Sequence, residues 1–184
     1  MAARQIRNIV IVGGGTAGWM TAAALAQFLG RAYDIRLIES DDIATIGVGE
    51  ATVPGIRAFH QALGLDENDF LRHTQGTFKL GIEFVDWAGL GDRYTHGFGI
   101  IGWALSNVPF YQYWLKMHQL GLAAELGEYS INTMAARQAK FTPAQTELAD
   151  SPLANINHAY HFDAGLYARY LRRYAEARGL FLNQ

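Results

Sequence analysis

The sequence predicts an α/β fold built on a Rossmann-like βαβ unit, and three observations near the N-terminus support this. A β-branched run at residues 9–12 ends at three glycines and predicts a strand. Because the run is apolar throughout and does not alternate, we expect this strand to be covered on both faces. Residues 16–29 are rich in alanine and are followed by Gly30, which predicts a helix and its end. Residues 33–38 predict a second strand. Strand, glycine turn, helix and strand in this order are typical of a right-handed βαβ crossover.

Hydrophobic periodicity predicts further helices and one alternating strand along the rest of the chain. The predicted helices are residues 56–63, 66–73, 109–126 and 162–178. The predicted strand, residues 77–87, places Phe78, Leu80, Ile82 and Phe84 on one face and Lys79, Gly81, Glu83 and Val85 on the other. We interpret residues 134–157 as irregular. A last strand begins at Leu180 shortly before the sequence stops, so we expect the chain to be incomplete at its C-terminus.

The composition excludes several classes of protein. The chain has 15 Lys and Arg against 17 Asp and Glu, so it has no basic excess for binding nucleic acid or an anionic membrane. It has no cysteine, which excludes disulfide scaffolds, thiolate metal sites and iron–sulfur clusters. The apolar run at residues 9–12 is too short for a signal peptide, and no later stretch reaches the ~18 apolar residues of a membrane span. We therefore expect a soluble, cytoplasmic protein without nucleic-acid or membrane partners.

The glycine turn after the first strand carries a dinucleotide-binding signature. Gly13, Gly15 and Gly18 form a G-x-G-x-x-G motif, in which Gly13 permits a tight turn and Gly15 lets a pyrophosphate approach the backbone. Gly18 lets the helix pack closely, and the helix N-terminus offers N–H groups to the phosphates. Glu39 closes the second strand about 20 residues later, where a carboxylate accepts hydrogen bonds from an adenosine ribose. The alternative is a glycine turn without a ligand, and the motif does not separate FAD from NAD.

Two charged residues have both a structural and a functional interpretation. Lys79 is either a solvated lysine on a half-exposed strand or a reactive group that a ligand reaches past the neighbouring Gly81. Glu50 is either a helix-capping or surface carboxylate or part of a binding loop. Residue spacing alone favours the structural interpretation of each.

Aromatic and histidine residues leave similar alternatives. His96, Phe98 and Trp103 are either core side chains or the wall of a pocket for a flat substrate. His158 and His161 have the spacing of neighbouring ligands on a helix, but a metal site needs a third ligand, so we interpret them as the start of the last helix and predict no metal.

Several sequence blocks together are similar to the N-terminal part of the flavin-dependent halogenases of the tryptophan halogenase type. They occur in the family's order, and Trp19 directly after the last motif glycine is a specific feature. The blocks are residues 8–20, 37–40, 46–54, 78–84, 113–114 and 158–163.

The resemblance implies a fold and a set of site residues. The fold is an FAD-binding Rossmann-like fold of the FAD-dependent monooxygenase and halogenase type, truncated before the substrate and C-terminal helical parts. We expect residues 1–184 to be an FAD-binding domain portion with a substrate-side segment inserted at about residues 75–160. The resemblance assigns Lys79 as the essential lysine and His96 and Phe98 as the positions that hold the indole ring. We expect Trp103 to add to the same substrate wall. The implied FAD residues are Gly13, Gly15, Thr16, Ala17, Glu39, Gly49, Glu50 and Ala51.

The resemblance also implies a reaction. A separate NAD(P)H-dependent flavin reductase supplies FADH2, O2 is consumed, and halide is oxidised to hypohalous acid. Lys79 then either forms a haloamine or holds the hypohalous acid by a hydrogen bond, and an electron-rich ring of tryptophan, indole or a related compound is halogenated. The choice between chloride and bromide, the ring position and a homodimer are left open.

Two other functions remain open from the sequence. One is another FAD-dependent monooxygenase or oxidoreductase that shares only the nucleotide fold. The other is a non-catalytic, truncated flavin-binding module. The family's halide loop, the glutamate partner of its lysine and its W-x-W-x-I-P motif are not found in residues 1–184. We therefore expect residues 1–184 alone not to halogenate a substrate, and downstream sequence would distinguish the three functions.

Overall fold

The computed structural model describes residues 6–40, 42–43 and 49–183. Residues 46–48, part of a block that resembles the halogenases, lie outside the described residues. The strands are β1 (Asn8–Val12), β2 (Asp34–Ile38), β3 (Gly49–Ala51), β4 (Thr77–Lys79), β5 (Gly81–Val85), β6 (Arg93–Gly97), β7 (Ala159–Asp163) and β8 (Phe181–Asn183). The α-helices are α1 (Thr16–Leu29), α2 (Gly55–Leu63), α3 (Glu67–Thr74), α4 (Phe110–Gln119), α5 (Ile131–Arg137) and α6 (Ala164–Glu176). The predicted mixed α/β class is confirmed.

The described chain divides into two compact units. The first contains the residues up to Thr77 and those from Tyr160 onward, and the second is Phe78–Ala159. The first unit therefore combines the N-terminal and C-terminal parts of the chain.

A parallel sheet organises the first unit, with β2 between β1 and β8. β1 and β2 pair from Asn8 opposite Asp34 to Val12 opposite Ile38, so the two strands end together. The helix between them, α1, contacts both strands. The predicted βαβ unit is confirmed, with the predicted bounds of its helix.

One face of this sheet is covered and the other is exposed within the described residues. Ile35 and Leu37 lie on the covered face of β2 and are 3% and 0% exposed. The residues that alternate with them, and those beside them on the neighbouring strands, are exposed: Val10, Val12, Ile38 and Phe181. The prediction that the first strand is covered on both faces is therefore wrong for the described residues, because α1 covers only the face that carries Ile35 and Leu37.

An aromatic cluster fills the space among α2, α3, β7 and α6 in the first unit. Phe70 is fully buried and meets the rings of Tyr160, Phe162 and Tyr167 edge-on at centroid distances of 5.0–5.6 Å. Edge-to-face contacts of this kind are favourable beyond the area they bury. The Nε2 atom of His60 lies 2.8 Å from the Tyr167 hydroxyl, which links the histidine to the same cluster.

The second unit contains an antiparallel hairpin. β5 and β6 pair from Gly81 opposite Gly97 to Val85 opposite Arg93, and α5 packs against this hairpin. The predicted strand over residues 77–87 is wrong in one respect, because the chain breaks at Leu80 into β4 and β5. β4 and β5 belong to different sheets, and β5 pairs with β6 in the hairpin. The Leu80 carbonyl accepts the Phe98 backbone N–H at 2.7 Å, in register with the hairpin.

Three predicted element boundaries also differ from the structure. α4 ends at Gln119 and not near residue 126, because Gly121 adopts a φ of 69° and its N–H bonds back to His118. The stretch interpreted as irregular contains the end of α5, which begins at a Ser130 cap. The segment around His161 is strand β7 and not the start of a helix, and α6 begins only after Asp163 caps it through its side chain.

No α-helix among the described residues is both long enough and apolar enough to cross a membrane.

We expect the stability of the folded protein to fall as the pH falls from about 6.5 towards 4, with His60 as one cause. Burial lowers the pKa of His60 from 6.5 to about 4, so the unfolded chain binds a proton in this range that the folded chain resists. The contribution of neutral His60 to the free energy of unfolding is fully present above about pH 6.5, and about 3 kcal/mol of it is lost by pH 4. Urea unfolding across this pH range measures the free energy of unfolding of wild type and His60→Gln. We expect its slope against pH to be shallower in the variant.

His118→Gln on exposed α4 is the matched control and should keep the wild-type slope. Equal slopes in wild type and His60→Gln would show that His60 takes up its proton freely in the folded protein.

Candidate functional site

The glycine turn between β1 and α1 needs glycine for steric reasons at several positions. Gly13 has a φ of +110°, a conformation that favours glycine, and its N–H bonds to the Ile38 carbonyl at 2.8 Å. A Cβ on Gly18 would lie 1.9 Å from the Gly13 carbonyl oxygen. A Cβ on Gly15, in contrast, would meet nothing within 4 Å, so open space lies beside this residue. The protein backbone therefore fills the space beside Gly18, whereas the space beside Gly15 is free for a ligand.

The N-terminus of α1 begins directly at this open side. Gly15 is the N-cap residue and offers no side-chain hydrogen bond to the first turn, which contains Thr16 and Ala17. Backbone N–H groups at the start of a helix carry partial positive charge and lack intrahelical partners. The first turn of α1 therefore has the properties of an anion-binding site.

Glu39 follows β2 and lies directly against the glycine turn. A Cβ on Gly14 would lie 1.6 Å from Glu39 Oε2, so Gly14 leaves the space that the carboxylate occupies. Trp19 Nε1 donates to Oε2 at 3.2 Å, and Arg172 Nη1 donates to Oε1 at 3.0 Å. The carboxylate is thus held by one donor on each oxygen.

The segment with Gly49, Glu50 and Ala51 forms β3 and pairs antiparallel with β7. Glu50 lies opposite Phe162 and is half-buried. The interpretation of Glu50 as a helix cap is wrong, because the N-cap of α2 is Pro54 and no side chain caps it.

Lys79 is the last residue of β4 and belongs to the second unit. Its exposure is 8%, so the structural interpretation that residue spacing alone favoured, a solvated lysine on a half-exposed strand, is wrong. Its Nζ lies 5.6 Å from the centre of the Phe98 ring, within the range of a cation–π contact. Burial lowers the pKa of Lys79 below its usual value.

Gly81 has a different role from the one predicted. A Cβ at Gly81 would lie 2.5 Å from the His96 carbonyl oxygen and 3.0 Å from the Gly97 Cα. The missing side chain therefore lets β6 approach, and the strand pairing itself explains why glycine is needed there.

The three predicted wall residues differ in burial. Phe98 is 6% exposed and lies beside Lys79. His96 is exposed and lies opposite Ile82 in the hairpin, and Trp103 is 57% exposed. Of the three, the structure brings Phe98 to the lysine.

Asn132 on α5 braces the backbone next to Lys79. Its side chain is buried, and Nδ2 donates to the Leu80 carbonyl at 3.0 Å and to the Asn157 carbonyl. Its Oδ1 accepts the Asn157 backbone N–H at 3.2 Å. One amide side chain thus joins three stretches of the second unit at the end of β4.

Comparison with known proteins identifies the family. The tryptophan halogenase family model matches residues 8–183, which is nearly the whole chain. The chain belongs to the tryptophan halogenase family. The resemblance inferred from the sequence blocks is therefore confirmed.

Individual relatives of this halogenase-family chain agree in sequence and in fold. Tryptophan 7-halogenase RebH of Lentzea aerocolonigenes is 36% identical over 186 residues, which is 93% of this chain and 34% of RebH. The solved structure of Xcc4156, a flavin-dependent halogenase from Xanthomonas campestris, has a TM-score of 0.89 and 45% identity over 98% of this chain and 35% of its own. BrvH, a flavin-dependent halogenase from Brevundimonas sp. BAL3, has a TM-score of 0.88 and 46% identity, with 98% and 35% covered. The chain spans about a third of the length of these relatives.

Sequence reasoning missed the supporting residues of this halogenase-family chain. No role was predicted for three of them. Gly14 leaves space for the Glu39 carboxylate, Arg172 donates a hydrogen bond to it, and Asn132 donates to the Leu80 carbonyl next to Lys79. For Gly14 the sequence does contain a signal, because a glycine outside the three motif positions can mark a place where another group approaches the backbone closely. Arg172 and Asn132 act across long stretches of chain, and local patterns contain no signal for such contacts.

We expect Asn132→Ala to lower the free energy of unfolding by about 2 kcal/mol or more, because it removes the hydrogen bonds of a buried amide that joins Leu80 and Asn157. Urea denaturation followed by circular dichroism measures the change. Asn107→Ala, at an exposed loop position of the same unit, is the matched control and should change stability by less than about 0.5 kcal/mol. Equal effects of the two substitutions would contradict a bracing role for Asn132.

Proposed function

We propose that the protein to which this sequence belongs is an FADH2-dependent halogenase acting on an electron-rich aromatic compound such as tryptophan or indole. The observation that carries the proposal is a lysine withdrawn from water beside an aromatic ring, Lys79 over Phe98, in a chain of the tryptophan halogenase family. Because the chain spans about a third of the length of its relatives, the activity is proposed for the whole protein.

The residues around the glycine turn fit FAD. Open space beside Gly15 suits a pyrophosphate, the α1 N-terminus suits its charge, and Glu39 offers acceptor atoms for an adenosine ribose. Bound FADH2 would supply the electrons with which O2 is activated to oxidise a halide ion to hypohalous acid. We propose a separate NAD(P)H-dependent flavin reductase as the source of FADH2. The residues proposed to hold the cofactor are Gly13, Gly15, Thr16, Ala17, Glu39, Gly49, Glu50 and Ala51.

Lys79 is proposed to carry the halogen to the substrate. Because burial lowers its pKa, more of its amine is neutral near pH 7 than in an exposed lysine, and a neutral amine is nucleophilic. In one version, Nζ attacks the halogen of hypohalous acid, the N–halogen bond forms as the O–halogen bond breaks, and water leaves. The ring carbon then takes the halogen and loses its proton, which restores the amine. In the other version, Nζ donates a hydrogen bond to the oxygen of hypohalous acid while the ring attacks the halogen. The carbon–halogen bond forms as the O–halogen bond breaks, and the hydroxide leaves as water with the proton that the ring carbon loses.

The proposed substrate class is an indole-like ring. Phe98 is the aromatic residue that accompanies Lys79, and a flat ring stacked there would be fixed with one carbon towards Nζ. His96 and Trp103 are proposed as further contacts, since both remain exposed and able to meet a ligand. RebH is named for tryptophan, whereas Xcc4156 and BrvH are named as flavin-dependent halogenases without a substrate. We therefore propose indoles in general as the substrate class and not tryptophan alone.

We expect Lys79→Met in the whole protein to reduce halogenated product below detection while FAD affinity stays within about twofold of wild type. Methionine is similar in length and apolar, so it fills the buried site without the amine. Hypohalous acid should still form and be trapped by an added diketone. Lys79→Arg should also fail, because a guanidinium stays charged and is no practical nucleophile. Mass spectrometry measures product, and flavin fluorescence measures affinity.

Lys116→Met on exposed α4 is the matched control and should keep full activity. Substantial product from Lys79→Met would assign Lys79 a purely structural role and remove the support for this mechanism.

We expect Phe98→Leu to weaken binding of an indole substrate by about 2- to 10-fold, because leucine keeps apolar volume but loses ring contacts worth ~0.5–1.5 kcal/mol. FAD affinity should not change. Phe84→Leu, which replaces a half-buried phenylalanine of the same hairpin, is the control. Calorimetric titration of substrate and fluorescence titration of FAD give the two affinities, and a parallel loss of both would mean that Phe98 is only a core residue.

A further inference from the structure

A hydrogen-bonded triad, Trp19–Glu39–Arg172, lies at the glycine turn of the first unit. Trp19 is 1% exposed, and it donates from Nε1 to one oxygen of Glu39. Arg172, 133 residues further along the chain, donates to the other oxygen. The guanidinium carbon of Arg172 also lies 5.8 Å from the centre of the Trp19 ring. The two donors are thus in contact with each other as well as with the carboxylate.

Arg172 is itself fixed by its own helix. Its Nε donates to Glu176 Oε1 at 2.9 Å, one turn later on α6. The guanidinium therefore bridges two carboxylates, and the planar donor group suits this geometry better than an ammonium group would. Glu39 is held at a position defined by α1 on one side and α6 on the other.

The triad leaves acceptor capacity on Glu39. An ionised carboxylate has about four lone-pair sites, and Trp19 and Arg172 each use one of them on different oxygens. A ribose presents two neighbouring hydroxyl groups that can donate to the remaining sites. Holding the carboxylate before the ligand arrives removes the entropy that a mobile glutamate would lose on binding.

We propose that Trp19 and Arg172 are positioning residues that orient Glu39 towards both hydroxyls of the adenosine ribose of FAD. This inference rests on the proposed FAD dependence and deepens it, because it assigns selectivity for the adenosine half of the cofactor to two residues outside the glycine motif. Arg172 acts through Glu39 and needs no contact with the cofactor.

The test compares FAD with FMN, which lacks the adenosine, in fluorescence titrations of the whole apoprotein. Arg172→Met should weaken FAD binding about tenfold, as expected for the loss of one oriented charge-assisted hydrogen bond, and leave FMN binding unchanged. Trp19→Phe should change the FAD to FMN affinity ratio in the same direction. An FAD analogue with a 2′-deoxyadenosine should bind wild type more weakly than FAD, and this preference should shrink in Arg172→Met.

Two controls separate positioning from general stability. Arg169→Met removes a charge from an exposed position of the same helix and should leave the ratio unchanged. Arg172→Lys keeps the charge without the planar fork and should recover part of the lost FAD affinity. A thermal melt of each apoprotein shows whether the variants fold.

The possible results decide both proposals separately. A parallel loss of FAD and FMN binding in Arg172→Met, an unchanged ratio, or tighter FAD binding would overturn the positioning role while FAD dependence stands. Wild-type protein that binds FAD no better than FMN would overturn the FAD assignment of this site, and the positioning role with it.

Discussion

The parallel, in-register pairing of β1 and β2 is the constraint on which the candidate cofactor site depends. Because the strands run in the same direction and end together, the glycine turn and Glu39 lie at one edge of the sheet. The Gly13 N–H bonds to the Ile38 carbonyl at 2.8 Å and ties the turn to the end of β2. Gly14 then gives the Glu39 carboxylate the space it needs. A shift of one residue would turn every β2 side chain to the other face and remove this contact.

In the second unit, the break between β4 and β5 has a comparable role. The Leu80 carbonyl accepts hydrogen bonds from the Phe98 backbone and from the buried Asn132 side chain. The same bonds bring the Phe98 ring near the amine of Lys79. Burial of a charged amine costs free energy, and the lowered pKa of Lys79 is the expression of that cost. A position that only maintained the strand would be filled at lower cost by an apolar residue, which favours a chemical reason for the lysine.

Local patterns predicted the βαβ unit well because it is built from neighbouring residues. The helix at Thr16–Leu29 and the acid at Glu39 follow from an alanine-rich stretch, a glycine turn and a strand end. The break at Leu80 was missed because the alternation continues across it, whereas β4 and β5 belong to different sheets, which local patterns do not show. β7 was missed because its pairing partner, β3, lies about 110 residues earlier, and strand pairing at such separation leaves no local signal.

The long-range contacts have a consequence for how the first unit is held together. α6 packs on α1, and both helices bury small side chains, among them Ala22 and Ala26 of α1 and Ala168 and Ala175 of α6. Small side chains allow two helices to approach closely. This approach allows Arg172 to reach Glu39 across the glycine turn, and β8 follows α6 back to the edge of β2. The N-terminal βαβ unit carries the recognisable glycine motif, but the orientation of the Glu39 carboxylate depends on Arg172 of α6, near the C-terminal end of the sequence. A motif search therefore finds the turn, whereas the orientation of Glu39 follows from packing.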